Sequence, residues 1–203
     1  MHTIATALAG FGLGLSLIVA IGAQNAYVLR QGLRAEHVLP VVLVCAVSDA
    51  LLIAAGVGGL GVVVSDHEGV LDLIRVLGAA FLFGYAILAA RRAMRPETLD
   101  ASPEVGATSL LTVVGTALAL TWLNPHVYLD TVLLVGSVAQ SYDRPWAFAL
   151  GASVASVTWF VALGFGARHL RPLFVKPVSW RILDAGIALV MVAIGVSLLV
   201  PLI

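Results

Sequence analysis

The chain has 203 residues, of which 61% are hydrophobic and 11% are charged, and its formal net charge is zero. Soluble domains are about half apolar and about a quarter charged, so this composition indicates an integral membrane protein. A net charge of zero gives no reason to expect a nucleic-acid partner. The apolar runs are about twenty residues long and do not alternate, which favours membrane-spanning helices over barrel strands.

The N-terminal segment is apolar almost from its first residue. It lacks the positively charged region of a cleaved signal peptide, so we expect it to form the first permanent membrane helix. The single hydrophilic segment of any length, residues 91–106, contains Pro, Ser and mixed charges and indicates a solvated linker between two halves. The fold class predicted is an all-α membrane protein with six spans. They cover residues 3–23, 38–64, 70–90, 107–139 (interrupted), 146–167 and 183–203.

Lysine and arginine are distributed unevenly between the two sides of this arrangement. Only Arg75 and Arg144 lie on one side, whereas the loops after spans one, three and five carry nine such residues. By the positive-inside rule the second side is cytoplasmic, which places the linker in the cytoplasm and both termini outside. If one apolar segment is re-entrant, one terminus changes sides. The nine residues are Arg30, Arg34, Arg91, Arg92, Arg95, Arg168, Arg171, Lys176 and Arg181.

The two halves of the sequence resemble each other. When "SDALLIAAGVGGLG" is aligned with "SVTWFVALGFGARH", Ser48 falls on Ser156 and Gly56 falls on Gly164. Three spans per half would make the second half enter the membrane from the opposite side, which is the inverted repeat of many secondary transporters. Spacing of small residues alone is the other explanation of the match. We expect the repeats to be residues 1–90 and 107–203, within one membrane domain.

The stretch "LTWLNPHVYLD" interrupts the fourth span. Proline breaks a helix interior but is tolerated at the first position of a new helix, and the asparagine before it is a good N-cap. We therefore predict two half-helices, residues 107–123 and 125–139, with the break at Asn124-Pro125. The start of the second half-helix could hold an anionic group such as a substrate carboxylate. A simple proline kink filled by neighbouring side chains is the alternative.

Two aspartates lie within apolar spans. Asp49 is near the middle of the second span, and Asp130 follows Asn124-Pro125. An aspartate at the centre of a membrane helix costs about 2.5–3.5 kcal/mol on insertion scales, and such residues usually face a bundle interior or a wet cavity. Both are candidates for substrate binding and proton coupling. The alternative is a structural pair with a buried cation, for which Arg30 is available. Arg30 itself is a candidate gate, a charge partner or a positive-inside anchor.

Several other polar and aromatic residues accompany the aspartates. In the first half "IGAQN" could provide a second broken helix, since Gly22 can end a helix and Gln24 and Asn25 supply donors and acceptors. His126 could carry a proton or be a hydrogen-bonded structural residue. Aromatic side chains could form a cation–π wall, or could be interfacial and packing residues. These aromatic residues are Tyr27, Trp122, Tyr128 and Trp159. The substrate-binding candidates are Gln24, Asn25, Asp49, Asn124, Pro125, Tyr128 and Asp130.

Together these features indicate a ligand with both signs of charge. Intramembrane carboxylates attract a cation and half-helix ends attract a carboxylate, and a basic amino acid such as arginine or lysine carries both groups. The sequence contains no nucleotide-binding motif, so we expect transport to be driven by a gradient, with a proton as the coupled ion. Cys45 is the only cysteine, so no disulfide framework, metal site or cofactor is expected.

The same residues resemble the bacterial lysine and arginine exporter family, over nearly the whole chain. The matching segments are "IGAQNAYVLRQG", "LVCAVSDALLIAAG" and "TWLNPHVYLDTV", and the form "WLNPHVYLD" is most similar to the arginine-exporter branch. The resemblance implies a secondary-active exporter in the bacterial inner membrane and points to Gln24, Asn25, Asp49, Asn124, Pro125 and Asp130. The family usually has a proline before Gln-Asn, whereas this chain has Ala23.

Three other functions are compatible with parts of the sequence. The first is an exporter of other amino acids or of small cations, although the two aspartates argue against neutral substrates. The second is an intramembrane aspartyl protease, which would need Asp49 and Asp130 as a dyad sharing a proton; neither lies in a Gly-x-Gly-Asp context. The third is a membrane scaffold without transport activity, in which the intramembrane polar groups would be purely structural.

Overall fold

The computed structural model describes residues 2–19, 22–60, 68–94 and 109–200, and within these ranges the chain forms helices and no strands. The first half contains α1 (His2–Ile18), α2 (Ala23–Arg34), α3 (Val38–Ala55), which continues as a π-helical turn (Gly56–Leu60), and α4 (Glu68–Met94). The second half contains α5 (Leu110–Trp122), α6 (Pro125–Val127, Tyr128–Leu134 and Val135–Gln140), α7 (Pro145–Gly166), which continues as a 3₁₀ helix (Ala167–Phe174), and α8 (Pro177–Leu199). In α6 the middle segment is π-helical.

The helices are those of a multi-pass membrane protein, but fewer of them are long enough to span a membrane than the six predicted from the sequence. Four helical segments are long and apolar enough to cross a membrane, and the bent pair α1–α2 brings the number among the described residues to five. The four segments are Val38–Gly59, Arg75–Met94, Pro145–Phe174 and Pro177–Leu199. The predicted fourth span is divided between α5 and Tyr128–Gln140, each of which is apolar but too short to cross alone.

The first predicted span, residues 3–23, is not one continuous helix, and the possible second broken helix at "IGAQN" is confirmed. Helix α1 ends at Ile18, and α2 begins at Ala23 with its axis bent by 82° from that of α1. Gly22 precedes α2 in an extended conformation, so it begins the second helix and does not end the first. Arg30, predicted to follow the first span as a loop residue, is consequently helical and buried.

The break at Asn124-Pro125 is confirmed. Helix α5 ends at Trp122 and a new helix begins at Pro125, where the missing proline N–H costs nothing because the first N–H groups of a helix have no partner within it. At its other end α5 is capped by Ser109, whose hydroxyl accepts a hydrogen bond from the Thr112 N–H. The predicted residues 107 and 108 lie outside the described ranges.

Glycine lets pairs of helices approach until their backbones touch. A Cβ added to Gly151 of α7 would collide with the carbonyl of Ala7 in α1, and one added to Gly10 would collide with that of Phe148. Between the halves, a Cβ on Gly136 of α6 would lie 2.7 Å from the Gly56 carbonyl oxygen. Small residues at such crossings allow the close packing that holds membrane helices together.

One end of the molecule collects basic residues from three parts of the chain. We call it the basic end and define it as residues 30–34, 91–94 and 167–181. Leu33, Ala167 and Trp180 pack there in one buried cluster, and Arg181 Nε donates to the Ala93 carbonyl at 3.2 Å. Helix α4 therefore includes the first four residues of the predicted linker 91–106, and the rest of the linker lies outside the described residues. Which membrane face the basic end meets remains a prediction.

The glycine contacts give a test of the fold. Gly151→Ala should lower the free energy of unfolding by about 1–3 kcal/mol, because the added methyl group must push α1 away from α7. Gly186→Ala on α8 is the matched control, since nothing lies within 4 Å of a Cβ at that position. The measurement is thermal unfolding of both purified variants in detergent. Equal stability of the two would contradict the described α1–α7 contact.

Candidate functional site

A cavity of about 280 Å³ lies between the two helix breaks. Parts of α1, α2, α3, α6, α7 and α8 form its wall, with Leu17, Ile18, Ile53, Val127, Val135 and Ile194 as its large apolar side chains. The wall contains two aspartates and neither Lys nor Arg among the described residues, so ionised carboxylates would give it a negative charge. Six of the residues predicted from the sequence line it: Gln24, Asn25, Asp49, Asn124, His126 and Asp130.

Asp49 is held in place by a hydroxyl from the other half of the chain. It is buried on α3, with 6% of its surface exposed, and its Oδ2 accepts a hydrogen bond from Ser156 Oγ on α7 at 2.8 Å. Both residues line the cavity. No ion pair of Asp49 with another described residue is present, so the charged carboxylate would have one hydroxyl donor and the cavity as its environment. A buried charge in this state attracts a cationic ligand or a proton.

Asn25 joins the two sides of the first break. Its Nδ2 donates to the carbonyl of Ile18, the last residue of α1, at 2.6 Å, and its Oδ1 accepts from Trp159 Nε1 on α7 at 3.2 Å. A carbonyl at the end of a helix has no partner within it and needs one at membrane depth. The amide therefore stabilises the break itself. Trp159, a cation–π candidate from the sequence, uses its N–H to orient Asn25.

Asn124 performs the corresponding task at the second break. Its side-chain Oδ1 accepts a hydrogen bond from the His126 N–H at 3.1 Å, and its backbone carbonyl accepts from the Val127 N–H at 3.1 Å. Asn124 is thus the predicted N-cap of α6, with Pro125 as the first helical residue. Because these two N–H groups already have partners, fewer donors at the start of α6 are available to a substrate carboxylate than the sequence suggests.

The start of α2 has a different cap. Gly22 provides no side-chain cap, and the first N–H groups of α2 have no partner within the helix. Gly22, Ala23, Gln24 and Asn25 all line the cavity. Gln24 Nε2 is buried and has no hydrogen-bond partner among the described residues. The start of α2 is therefore a second place in the cavity wall where an anionic group could bind.

Asp130 lies in the π-helical part of α6, where the Val135 N–H bonds to the Asp130 carbonyl. Its side chain lines the cavity and is exposed, and it makes no hydrogen bond or ion pair with another described residue. Single π-helical turns are rare and occur often at functional sites. Asp130 therefore places a second carboxyl group at the cavity wall.

His126 and Tyr128 make different contacts although both follow the break. His126 lines the cavity, and its Nε2 lies 3.2 Å from Ser197 Oγ on α8. Tyr128 is not part of the cavity wall. Its hydroxyl donates to the carbonyl of Trp122 at 2.8 Å, which satisfies one of the free carbonyls at the end of α5. The Trp122 ring in turn donates from Nε1 to Ser48 Oγ at 3.1 Å.

Arg30 has a charge partner, but it is neither of the predicted aspartates. Its Nε lies 2.9 Å from Oδ1 of Asp184 on α8, and Arg92 Nε of α4 lies 3.2 Å from the same oxygen. The alternative in which Arg30 forms a structural pair with Asp49 or Asp130 is therefore contradicted. Sequence reasoning missed Asp184 because it lies at the predicted start of the last span, where an acidic residue needs no explanation. It also missed Ser156 as the partner of Asp49, although the repeat alignment had singled out that serine.

Comparison with known proteins identifies the class. The sequence pattern of the LysE-type translocators matches residues 15–201, and the chain belongs to this family. It is therefore a transporter and not an enzyme, as the sequence predicts. No solved structure matches it significantly.

Named relatives cover almost the whole chain. A Mycobacterium tuberculosis protein provisionally named as an amino-acid transporter is 51% identical over 187 residues, or 92% of each chain. The arginine exporter protein ArgO of Pectobacterium carotovorum is 39% identical over 94% of this chain and 95% of its own. The lysine exporter LysE of Corynebacterium efficiens is 35% identical over 94% of this chain and 96% of its own.

The cap at the second break can be tested by substitution. Asn124→Ala should lower the free energy of unfolding by about 1 kcal/mol, because the His126 N–H loses its acceptor. Asn124→Ser retains a capping oxygen and should be closer to the wild type. Thermal unfolding in detergent measures both. If Asn124→Ser is as unstable as Asn124→Ala, the side chain acts through another contact.

Proposed function

We propose that the protein is a secondary-active exporter of basic amino acids, L-arginine, L-lysine or both, across the bacterial inner membrane. The observation that carries this proposal is the cavity with two carboxylates, Asp49 and Asp130, and no basic side chain in its described wall. Relatives named as an arginine exporter and as a lysine exporter resemble the chain to a similar degree. Their names support basic amino acids without separating the two substrates.

The cavity suggests an orientation for the substrate. The cationic groups of arginine or lysine would lie near Asp49 and Asp130, and the α-carboxylate would lie at the start of α2 with Gln24 Nε2 as an additional donor. The aliphatic part of the side chain would contact the apolar wall. This orientation gives Gln24 Nε2 a hydrogen-bond partner and assigns Asn25 and Asn124 mainly to the two breaks. Tyr128 would act indirectly, by its hydrogen bond to the Trp122 carbonyl at the end of α5.

Alternating access is supported by the arrangement of the two halves. Each half begins with a broken helix, α1–α2 or α5–α6, and each break contributes to the cavity wall. The predicted equivalent helices α3 and α7 meet where Ser156 bonds to Asp49, and α4 packs along α8. These contacts are those expected of an inverted repeat with residues 1–90 and 107–203 as its halves. Movement of one half against the other would open the cavity to each side in turn.

The coupled ion in this proposal is a proton. Asp49, Asp130 and His126 line the same cavity and can all change their protonation state. A proton and a cationic substrate that compete for the same carboxylates would be exchanged across the membrane, which gives antiport. The positive-inside rule would place residues 91–106 in the cytoplasm and both termini outside.

The carboxylates provide the first test of function. Asp49→Asn and Asp130→Asn should each reduce arginine or lysine efflux from loaded cells by about tenfold or more, because the cavity loses a charge that faces the cationic substrate. Asp72→Asn is the matched control, since Asp72 lies outside the cavity and pairs with Arg75 at 2.6 Å. Membrane levels of all three variants are measured by immunoblotting. Normal efflux from both cavity variants would refute the proposal.

Identifying the substrate and the coupling ion requires transport measurements with the purified protein. In liposomes we expect efflux of arginine or lysine that accelerates when a pH gradient is imposed, and little transport of a neutral amino acid such as leucine. Faster transport of leucine than of both basic amino acids would assign the protein to export of other amino acids. An efflux rate that does not change when the pH gradient is imposed would exclude the proton as the coupled ion.

A further inference from the structure

A buried group of charges lies where the basic end approaches the cavity. Asp184 of α8 is 2% exposed and accepts from the Nε atoms of both Arg30 on α2 and Arg92 on α4. We call these three residues the ion triad. Arg30 lies on the helix whose first turn lines the cavity, nearer to its end at Arg34. The ion triad is therefore a buried polar layer between the cavity and the rest of the basic end along α2.

Aromatic side chains continue this layer. The guanidinium carbon of Arg92 lies 5.3 Å from the centre of the Tyr85 ring. Tyr85 packs edge-to-face on Tyr27 with ring centres 6.0 Å apart, and the Tyr27 hydroxyl donates to the Val113 carbonyl of α5 at 3.2 Å. Tyr27 and Tyr85 are both buried. The layer thus closes the space between α2, α4, α5 and α8 with side chains from both halves of the chain.

Among the described residues the charges of the layer do not balance. Two guanidinium groups share one carboxylate, and Arg92 Nη2 is buried with no hydrogen-bond partner among the described residues. A buried ion pair is weak evidence for stability, because removing two charges from water costs about as much as their attraction returns. An incompletely satisfied network is costlier than an apolar contact in the same place. The ion triad is therefore poorly explained as a device for stability alone.

We propose that the ion triad is the lock of the gate that closes the cavity toward the basic end. It joins α2 and α4 of the first half to α8 of the second, so the two halves cannot separate at this end while Asp184 binds Arg30. Opening the gate breaks these ion pairs and moves the Tyr27–Tyr85 contact apart. This inference rests on the proposed alternating-access transport, but its test does not depend on which substrate is carried.

The test measures access to the cavity from each membrane face. A single reporter thiol is introduced by Thr131→Cys, because Thr131 lines the cavity, and Cys45→Ala removes the only native thiol. A membrane-impermeant maleimide is applied to right-side-out and inside-out vesicles. With Arg30→Gln or Asp184→Asn added, labelling from the face that carries the basic end should become about tenfold faster, since the open state gains population.

Control variants separate a lock from a general loss of structure. Glu36→Gln breaks the ion pair between Glu36 and Arg34. This pair lies at the same end of the molecule but does not connect the two halves, so labelling should be unchanged. Arg30→Asp combined with Asp184→Arg retains one carboxylate and two guanidinium groups and should restore much of the protection. This double variant keeps the test decisive if Asp184→Asn fails to fold.

The outcomes distinguish the lock from the proposed function. Faster labelling from one face only, reversed by the exchanged pair, supports the gate even if arginine and lysine prove not to be the substrates. Unchanged labelling in folded Arg30→Gln protein, or equally faster labelling from both faces, overturns it and leaves the ion triad as a structural contact. Labelling confined to the external face supports the gate and reverses the predicted membrane orientation.

Discussion

The structure depends on one constraint: at membrane depth each backbone N–H and C=O group needs a partner within the protein. Two of its helical segments are nevertheless broken, between Ile18 and Ala23 and between Trp122 and Pro125. Side-chain amides make these breaks possible. Asn25 donates to the end of α1, and Asn124 accepts from the start of α6. The cavity exists because both breaks are stabilised in this way and face each other.

The two breaks are not equivalent, so the polar groups on the two sides of the cavity differ. Asn124 occupies donors at the start of α6, whereas Gly22 leaves those of α2 without a side-chain cap. Asp49 is fixed by Ser156, and Asp130 has no structural partner among the described residues. In a zwitterion with a cationic side chain, the carboxylate would bind at the start of α2, and the cationic group would bind near Asp49 on α3 and Asp130 on α6.

Charge is separated along the molecule. The cavity wall carries carboxylates, and the adjoining layer toward the basic end carries the two guanidinium groups of the ion triad around Asp184. A cationic substrate in the cavity would be attracted by its wall and repelled by the two guanidinium groups, which share one carboxylate among the described residues. Opening of the layer must therefore accompany any passage of the substrate through the basic end. Export would require that this opening and the binding of substrate be coupled to the same rearrangement of the two halves.

The sequence by itself determined the helical membrane class, the break at Asn124-Pro125 and the expectation that Asp49 and Asp130 face a cavity, because hydropathy, proline and intramembrane charge act locally. It offered a possible break at "IGAQN" without its angle, and it named Asp49 and Asp130, but not Asp184, as alternative partners of Arg30. Only the tertiary structure decided that α2 turns by 82° from α1, that Ser156 holds Asp49 and that Asp184 neutralises Arg30. Those outcomes depend on which helices lie side by side, and residues separated by a hundred positions or more in the sequence carry no local signal of that contact.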